Sequence, residues 1–275
     1  MLATILIVFR EVLEAALIIG IVAAATRGIE GRSRWILGGI GIGVAGAVVV
    51  ALFADGIGNM ASGVGQELFN AGILFAAVIM LAWHAIWMSQ HGRELAAHAT
   101  SVGRAVHEGT APVVALMVLV LLAVLREGSE VVLFLYGMAA AGGTESSQML
   151  AGGTLGLALG TLMGFGMYFG LLRIPLRHFF TATNWLILLL AAGMAAQGAR
   201  YLVQADLLPS LGSPVWDTSH VLSEHSLLGQ MLHTLVGYDA TPSGIQIVFY
   251  LATAMLIAMG MLRWNAARPK PALSH

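Results

Sequence analysis

Seven apolar runs, each long enough to cross a bilayer, partition this chain, and no other feature restricts its fold as severely. A hydrocarbon core about 30 Å thick requires about 20 mainly apolar residues in a helix. Residues 2–25, 35–54, 68–88, 112–141, 149–172, 181–203 and 245–262 meet that requirement. None alternates polar and apolar residues as the strands of a membrane barrel do. The first run reads as a retained helix and not a signal peptide, because no basic residue precedes it and charges lie at its centre. Only 10% of residues are charged, whereas soluble domains carry about 25%. A soluble enzyme, a nucleic-acid binder and a disordered scaffold are therefore excluded. The expected fold is an all-α polytopic membrane protein with seven transmembrane helices.

The cations set its orientation. Arg27, Arg32 and Arg34 follow the first run, Arg93 and Arg104 the third, Arg173 and Arg177 the fifth, and Arg263, Arg268 and Lys270 the seventh. All lie on one side, which the positive-inside rule makes cytoplasmic, with the N-terminus outside and the C-terminus inside. Asp55, Glu145, Asp206, Asp217, Glu224 and Asp239 fall on the opposite side.

Three cations remain. Arg200 lies near the end of the sixth run, while Arg10 and Arg126 sit mid-run in the first and fourth, each opening the same pattern. The first run reads Arg10-Glu11-Val12-Leu13-Glu14 and the fourth Arg126-Glu127-Gly128-Ser129-Glu130. Their offset is 116 residues; Gly38, Gly39, Gly46 and Asn70 find Gly152, Gly153, Gly160 and Asn184 at an offset of 114. Runs one to three and four to six thus read as two copies of one unit. An odd number of spans per unit inverts the second copy, the arrangement of many secondary transporters. The expected organisation is residues 1–111 and 112–204 as the repeats, 205–243 as an extracytoplasmic loop, and 244–275 as the seventh helix with a cytoplasmic tail.

In a helix, residues three and four apart share a face, so each motif presents two glutamates with an arginine one turn from the second. A charged residue at a helix centre costs about 2.5–3.5 kcal/mol to insert, and the six charges must face the bundle interior and one another. Glu11, Glu14, Glu127 and Glu130 outweigh Arg10 and Arg126 by two negative charges, a deficit suited to a multivalent cation. A carboxylate set favours hard ions such as magnesium, calcium, manganese and iron. Interhelical salt bridges without a ligand would also satisfy the spacing, although two identical clusters exceed what packing needs.

This pair of Arg-Glu-x-x-Glu motifs in a seven-span chain resembles the oxidase-dependent iron permeases, a family that includes the bacterial EfeU-like proteins. The resemblance extends to Val215-Trp216-Asp217-Thr218, Ser226-Leu227-Leu228-Gly229 and the run from Gly237-Tyr238-Asp239 through Pro242-Ser243-Gly244. It implies iron import across the bacterial inner membrane, with Glu11, Glu14, Glu127 and Glu130 binding and passing the ion. Iron is then cargo, with no tightly bound cofactor, and a separate periplasmic protein oxidises or delivers it. The family's usual motif has glycine in third place; Gly128 keeps it and Val12 does not. Two alternatives stay open: another divalent cargo such as manganese or lead, or a membrane anchor of an iron-delivery or electron-transfer complex that moves no ion.

Outside the motifs, Asp217, Glu224 and His225 are candidates for an entrance within the long loop, which otherwise reads as solvated chain with an amphipathic helix over residues 221–236. His84, His91 and His98 recur every seven residues, about 10.5 Å of helix. They cannot share one metal, and are read as belonging around a solvated loop, outside the site. Gly152, Gly156, Gly160 and Gly164 recur every four residues, the spacing of close helix packing in membranes. Gln197 and Arg200 either line the pathway or, for Arg200, reach the interface. No His-Glu-x-x-His, Gly-x-Ser-x-Gly or P-loop is present, so no enzyme activity is expected.

Overall fold

The computed structural model describes residues 1–60, 65–141, 145–170, 176–212, 214–223 and 226–266; within these ranges the side chains of 55–60, 88–93, 176–180, 227, 234 and 263–266 are outside the description. Among the described residues the regular structure is all helical: α1 (Leu2–Ala25), α2 (Arg32–Met60), α3 (Gln66–His107), α4 (Val114–Ala141), α5 (Ser146–Tyr168), α6 (Leu176–Gln204), α7 (Leu227–Val236) and α8 (Gly244–Ala266). By length and composition α2, α3, α5, α6 and α8 each contain a window apolar enough to span a membrane. The two other long helices, α1 and α4, each carry an Arg-Glu-x-x-Glu motif at mid-helix. Large apolar side chains such as Leu52, Phe53, Trp83, Leu150, Leu162 and Leu256 are exposed. An apolar coat of this extent is stable only against lipid, and the chain is a multi-pass membrane protein.

Boundaries shift from the sequence reading in several places, among them α2, which runs on from residue 54 to Met60, and α6, which begins at Leu176 and not at residue 181. The third run was expected to stop at residue 88 and enter a loop, but α3 continues without a break to His107. Its second half is polar yet composed of strong helix formers, with Ala96, Ala97, Ala99 and Ala105 among them. It ends only at Gly109, whose φ of +73° favours glycine. At 42 residues and 1.5 Å per residue, α3 is about 63 Å long, so Arg104, His98 and His107 lie on a helix. The expected amphipathic helix at 221–236 begins later, at Leu227: the Ser226 hydroxyl accepts from the Gly229 amide at 3.0 Å and caps it. The fifth run ends earlier than residue 172, since α5 stops at Tyr168.

Glycine seams set the packing. Gly152, Gly156, Gly160 and Gly164 of α5 lie against Met1, Ile5–Phe9, Val12 and Ala16 of α1 in ascending order, so these two helices run parallel. Gly39, Gly43 and Gly46 of α2 lie likewise along Met117, Val124 and Leu125 of α4. The contacts match pair by pair. A Cβ on Gly39 would meet the Met117 carbonyl and Val120, and one on Gly152 the Met1 carbonyl and Thr4; Gly43 meets Leu121 and Val124 where Gly156 meets Ile5 and Val8. The α1 and α4 partners keep the offset of 116 read from the motifs. The α2 and α5 partners are offset by 113, not the 114 that matching glycines suggested.

That register explains the valine at position 12. Its side chain fills the space beside Gly160, whereas at the equivalent contact Gly128 faces Ala47. The bulk has moved across the seam. Gly128→Val adds a Cβ within 2.7 Å of Ala47 Cβ and should cost about 1–3 kcal/mol through overpacking. Adding Ala47→Gly should restore much of the lost thermal stability in detergent, because contacting sites couple. A double variant no more stable than Gly128→Val alone would refute the equivalence.

The long core cluster joins Ile7 of α1, Leu74 and Leu81 of α3, Phe134 and Met138 of α4, and Ala191 and Met194 of α6. Of the α6 apolar window 56% is buried, against 17% for α2 and α8, so α6 is central and the other two peripheral. A second cluster, with Val22, Ile36, Ala99, Val106, Leu116 and Val120, closes the end of the bundle where α1 finishes. At the opposite end, the one bearing Met1, the two loop segments singled out from the sequence clasp each other. Val215 donates its amide to the Pro242 carbonyl and Thr218 to that of Ala240, both at 2.9 Å. Gly237, at φ +73°, ends α7 and seats it on Gly193 of α6, where a Cβ on either would sit within 2.6 Å of the other's Cα.

Candidate metal centre

Midway along α1, the arginine of the first motif is 1% exposed. Arg10 Nη1 donates to Glu11 Oε1 at 2.9 Å, and its Nη2 lies 2.9 Å from Glu14 Oε1 and 3.3 Å from Asn184 Oδ1 of α6. The motif spacing makes this possible, since Glu14 is one turn from Arg10. Asn184, noticed in the sequence only as a repeat match, has the specific task of anchoring the guanidinium.

The second copy is similar in pattern and different in setting. Arg126 Nε lies 3.2 Å from Glu130 Oε1 and 3.8 Å from Glu127 Oε1. Its side chain is 31% exposed and its guanidinium stacks over the Trp87 ring at 4.2 Å from the centroid. Because α1 and α4 enter from opposite ends of the bundle, Arg10 lies on the Met1 side of the carboxylates and Arg126 on the other. The two arginines bracket the acids.

Between them the acids converge. Ligand atoms of Glu11, Glu127, Glu130 and His84 all lie within 4.8 Å of one another. Glu14 stands beside this group, with Oε1 3.9 Å from His84 Nε2. Both oxygens of Glu127, one of Glu11 and Glu14 Oε2 are buried and make no hydrogen bond, while Glu14 Oε1 is ion-paired with Arg10. Buried polar atoms are nearly always satisfied, and an inward-facing set of unsatisfied carboxylate oxygens is what a cation completes. Counted as fully ionised, four glutamates against two arginines leave an excess of two negative charges. So the structure brings together three of the four predicted glutamates most tightly, with the fourth bound to Arg10 at the edge.

His84 corrects the sequence reading, which had excluded it along with His91 and His98. It is 2% exposed, Nδ1 contacts Glu130 Oε2, and Nε2 lies 3.9 Å from Glu11 Oε2. The available signal was position: His84 falls inside an apolar run, where an ionisable side chain is a functional candidate by default. The seven-residue spacing drew attention to the wrong partners.

The entrance candidates fare differently. Glu224 and His225 lie outside the described residues. Asp217 is exposed and accepts from the Ser219 amide and hydroxyl at 2.9 and 2.6 Å; these bonds hold its carboxyl below the usual carboxylate range. A cavity of about 400 Å³ at the Met1 end is lined by Trp216 and Thr218 but not by Asp217. His233, Asp239, Gln197 and Gln246 supply its polar lining. Arg200 lies beside it, Nη1 3.9 Å from Asp239 Oδ2. Along α4, Met138 borders the cavity, Phe134 is fully buried one turn deeper, and Glu130 is one turn beyond that. An apolar layer therefore separates the cavity from the acids.

The description "Iron permease FTR1 family" matches residues 1–267. The chain belongs to the iron permease FTR1 family. It is 34% identical over 260 residues to the ferrous iron permease EfeU of Yersinia pestis, covering 92% of this chain and 91% of that protein. To the ferrous iron permease EfeU of Escherichia coli O6:K15:H31 it is 35% identical over 262 residues, covering 91% of this chain and 92% of the relative. No solved structure matches the chain. As a member of an iron permease family, this protein transports iron across a membrane, and the buried acids at its centre are to be read in that light.

Proposed function

We propose that this permease imports iron through a seven-span carrier built from two inverted three-helix repeats, residues 1–111 and 112–204, with α8 added. Ferrous iron is the cargo, a reading supported by the names of the bacterial relatives. The observation that carries the proposal is the convergence of Glu11, Glu127 and Glu130 from α1 and α4 within 4.8 Å. Support for the repeats comes from the matched seams: the first helix of each unit packs in parallel along the second helix of the other. Positive charge on the opposite face supports placing the Met1 end outside the bacterial inner membrane.

Iron enters by the cavity at the Met1 end, near Asp239 and Asp217, where a periplasmic partner delivers it. The Phe134 layer parts, and Glu11, Glu14, Glu127 and Glu130 replace the ion's hydration shell. Arg10 and Arg126 hold the glutamates in place and limit the net charge, so the ion binds without being trapped. Rocking of one repeat on the other along the glycine seams then opens the Arg126 side, and iron leaves to the cytoplasm. Iron is substrate here, and no resident cofactor is required.

Flux into proteoliposomes, with Fe(II) and Fe(III) compared across a pH gradient, tests this. Wild-type protein should accumulate Fe(II). Glu14→Ala and Glu130→Ala should lower the initial rate by at least about 100-fold, the effect of removing a charged ligand worth several kcal/mol, while inserting normally. Undiminished flux in both variants would overturn the assignment.

A further inference from the structure

We infer that His84 is a direct iron ligand through Nε2, making the centre a mixed imidazole–carboxylate site that selects transition metals over calcium and magnesium. This rests on the reading of the acids as the iron site and specifies which cations it accepts.

The ring is held as metal-binding histidines are held. Its Nδ1 contacts Glu130, while Nε2 faces the acids of α1, 3.9 Å from oxygens of both Glu11 and Glu14. A carboxylate on one nitrogen fixes the tautomer and directs the other nitrogen's lone pair at an ion. Phe134 packs edge-on against the ring, centroids 6.3 Å apart and planes at 89°, which leaves little room to rotate. The side chain is 1% exposed, and one of its ring nitrogens belongs to the group spanning 4.8 Å with Glu11, Glu127 and Glu130. Bonds of about 2.0–2.2 Å to nitrogen and oxygen bridge such a group with small side-chain movements.

Among the described residues, His84 is the one imidazole in this group. The position equivalent to His84 at the Asn70–Asn184 offset is Gly198, and the space there is filled by the Phe75 ring. The two third helices have diverged: α3 donates a ligand and α6 donates Asn184 to Arg10. Chemistry follows from that asymmetry. Calcium and magnesium prefer all-oxygen shells, whereas imidazole suits iron and its neighbours. Four carboxylates alone would admit the abundant alkaline-earth ions; one imidazole biases the site against them.

The experiment uses the full-length protein in detergent under anaerobic conditions, loaded with Mn(II) as a spectroscopic probe and with Fe(II), Ca(II) and Mg(II) in competition. Wild type should show a nitrogen hyperfine coupling on bound Mn(II), and His84→Asn should lose it. Fe(II) affinity should fall at least about tenfold in His84→Asn, as loss of even an orienting partner costs 10–100-fold, with little change for Ca(II). His84→Asp restores a ligand as oxygen, and should recover binding with preference shifted towards Ca(II) and Mg(II). It also serves as the folded reference if the asparagine variant is unstable. A coupling that persists in His84→Asn, or unchanged metal preference in both variants, overturns the inference. If wild-type binding depends on Glu11 and Glu130 but shows no nitrogen coupling, the carboxylate site stands and His84 falls; if wild type binds no Fe(II), the site itself falls.

Discussion

Replacing Arg10 with methionine, which keeps the volume and removes the charge, should destabilise the protein by about 3–5 kcal/mol, the cost of breaking one side of a buried ion pair. Arg10 is 1% exposed and sits among Glu11, Glu14 and Asn184. Without it, two buried carboxylates of α1 face Glu127 and Glu130 with no nearby cation on their side. Arg126→Met is the comparison. That side chain is 31% exposed and stacked on Trp87, a contact worth about 0.5–2 kcal/mol, so its loss should be markedly milder. The measurement is the thermal midpoint of monodisperse protein in detergent, with membrane abundance alongside. Equal effects of the two substitutions would show that the asymmetry between the copies has no energetic meaning.

The second large effect is steric. A Cβ at Gly156 would sit 2.8 Å from the Ile5 carbonyl oxygen and 3.0 Å from the Phe9 amide nitrogen. Both are backbone atoms, and no rotamer change can relieve them. Gly156→Leu must therefore push α1 away from α5 and carry Glu11 and Glu14 with it. We expect a loss of stability at the upper end of overpacking, about 3 kcal/mol, and loss of most iron flux in whatever protein survives. Gly153→Leu, three residues earlier, is the control, because a Cβ there meets nothing within 4 Å. If the two variants melt and transport alike, close approach along this seam is not what positions the motif.

The clustering of the two motifs was legible in the sequence because charge in an apolar run is costly, and a pattern repeated at mid-helix exposes itself by that cost alone. The glycine stripe of α5 was legible by its period of four. What escaped depended on neighbours distant in the chain. His84 carries no pattern of its own that links it to Glu130, 46 residues on; only the approach of α3 to α4 does so. The end of α3 escaped because hydropathy stops at the edge of the bilayer while helix propensity does not. Register across the seams escaped by a single residue. Identical glycines align at 114, yet the contact unit is a glycine together with the bulk opposite it, and the Val12–Gly160 and Gly128–Ala47 pairs reveal the true match.

On the proposed iron path, the apolar layer at Phe134 would set the kinetics of transport. A continuous water-filled route through the carboxylates would conduct protons and sodium along with iron and discharge the membrane potential. With an apolar plug above the acids, each ion must wait for helices to shift, and collective motions of that kind take microseconds to milliseconds. Uptake should therefore saturate with concentration, and electrical recording should detect no unitary currents. Such a protein gives up speed and in return can scavenge a scarce nutrient without draining the energised membrane it sits in.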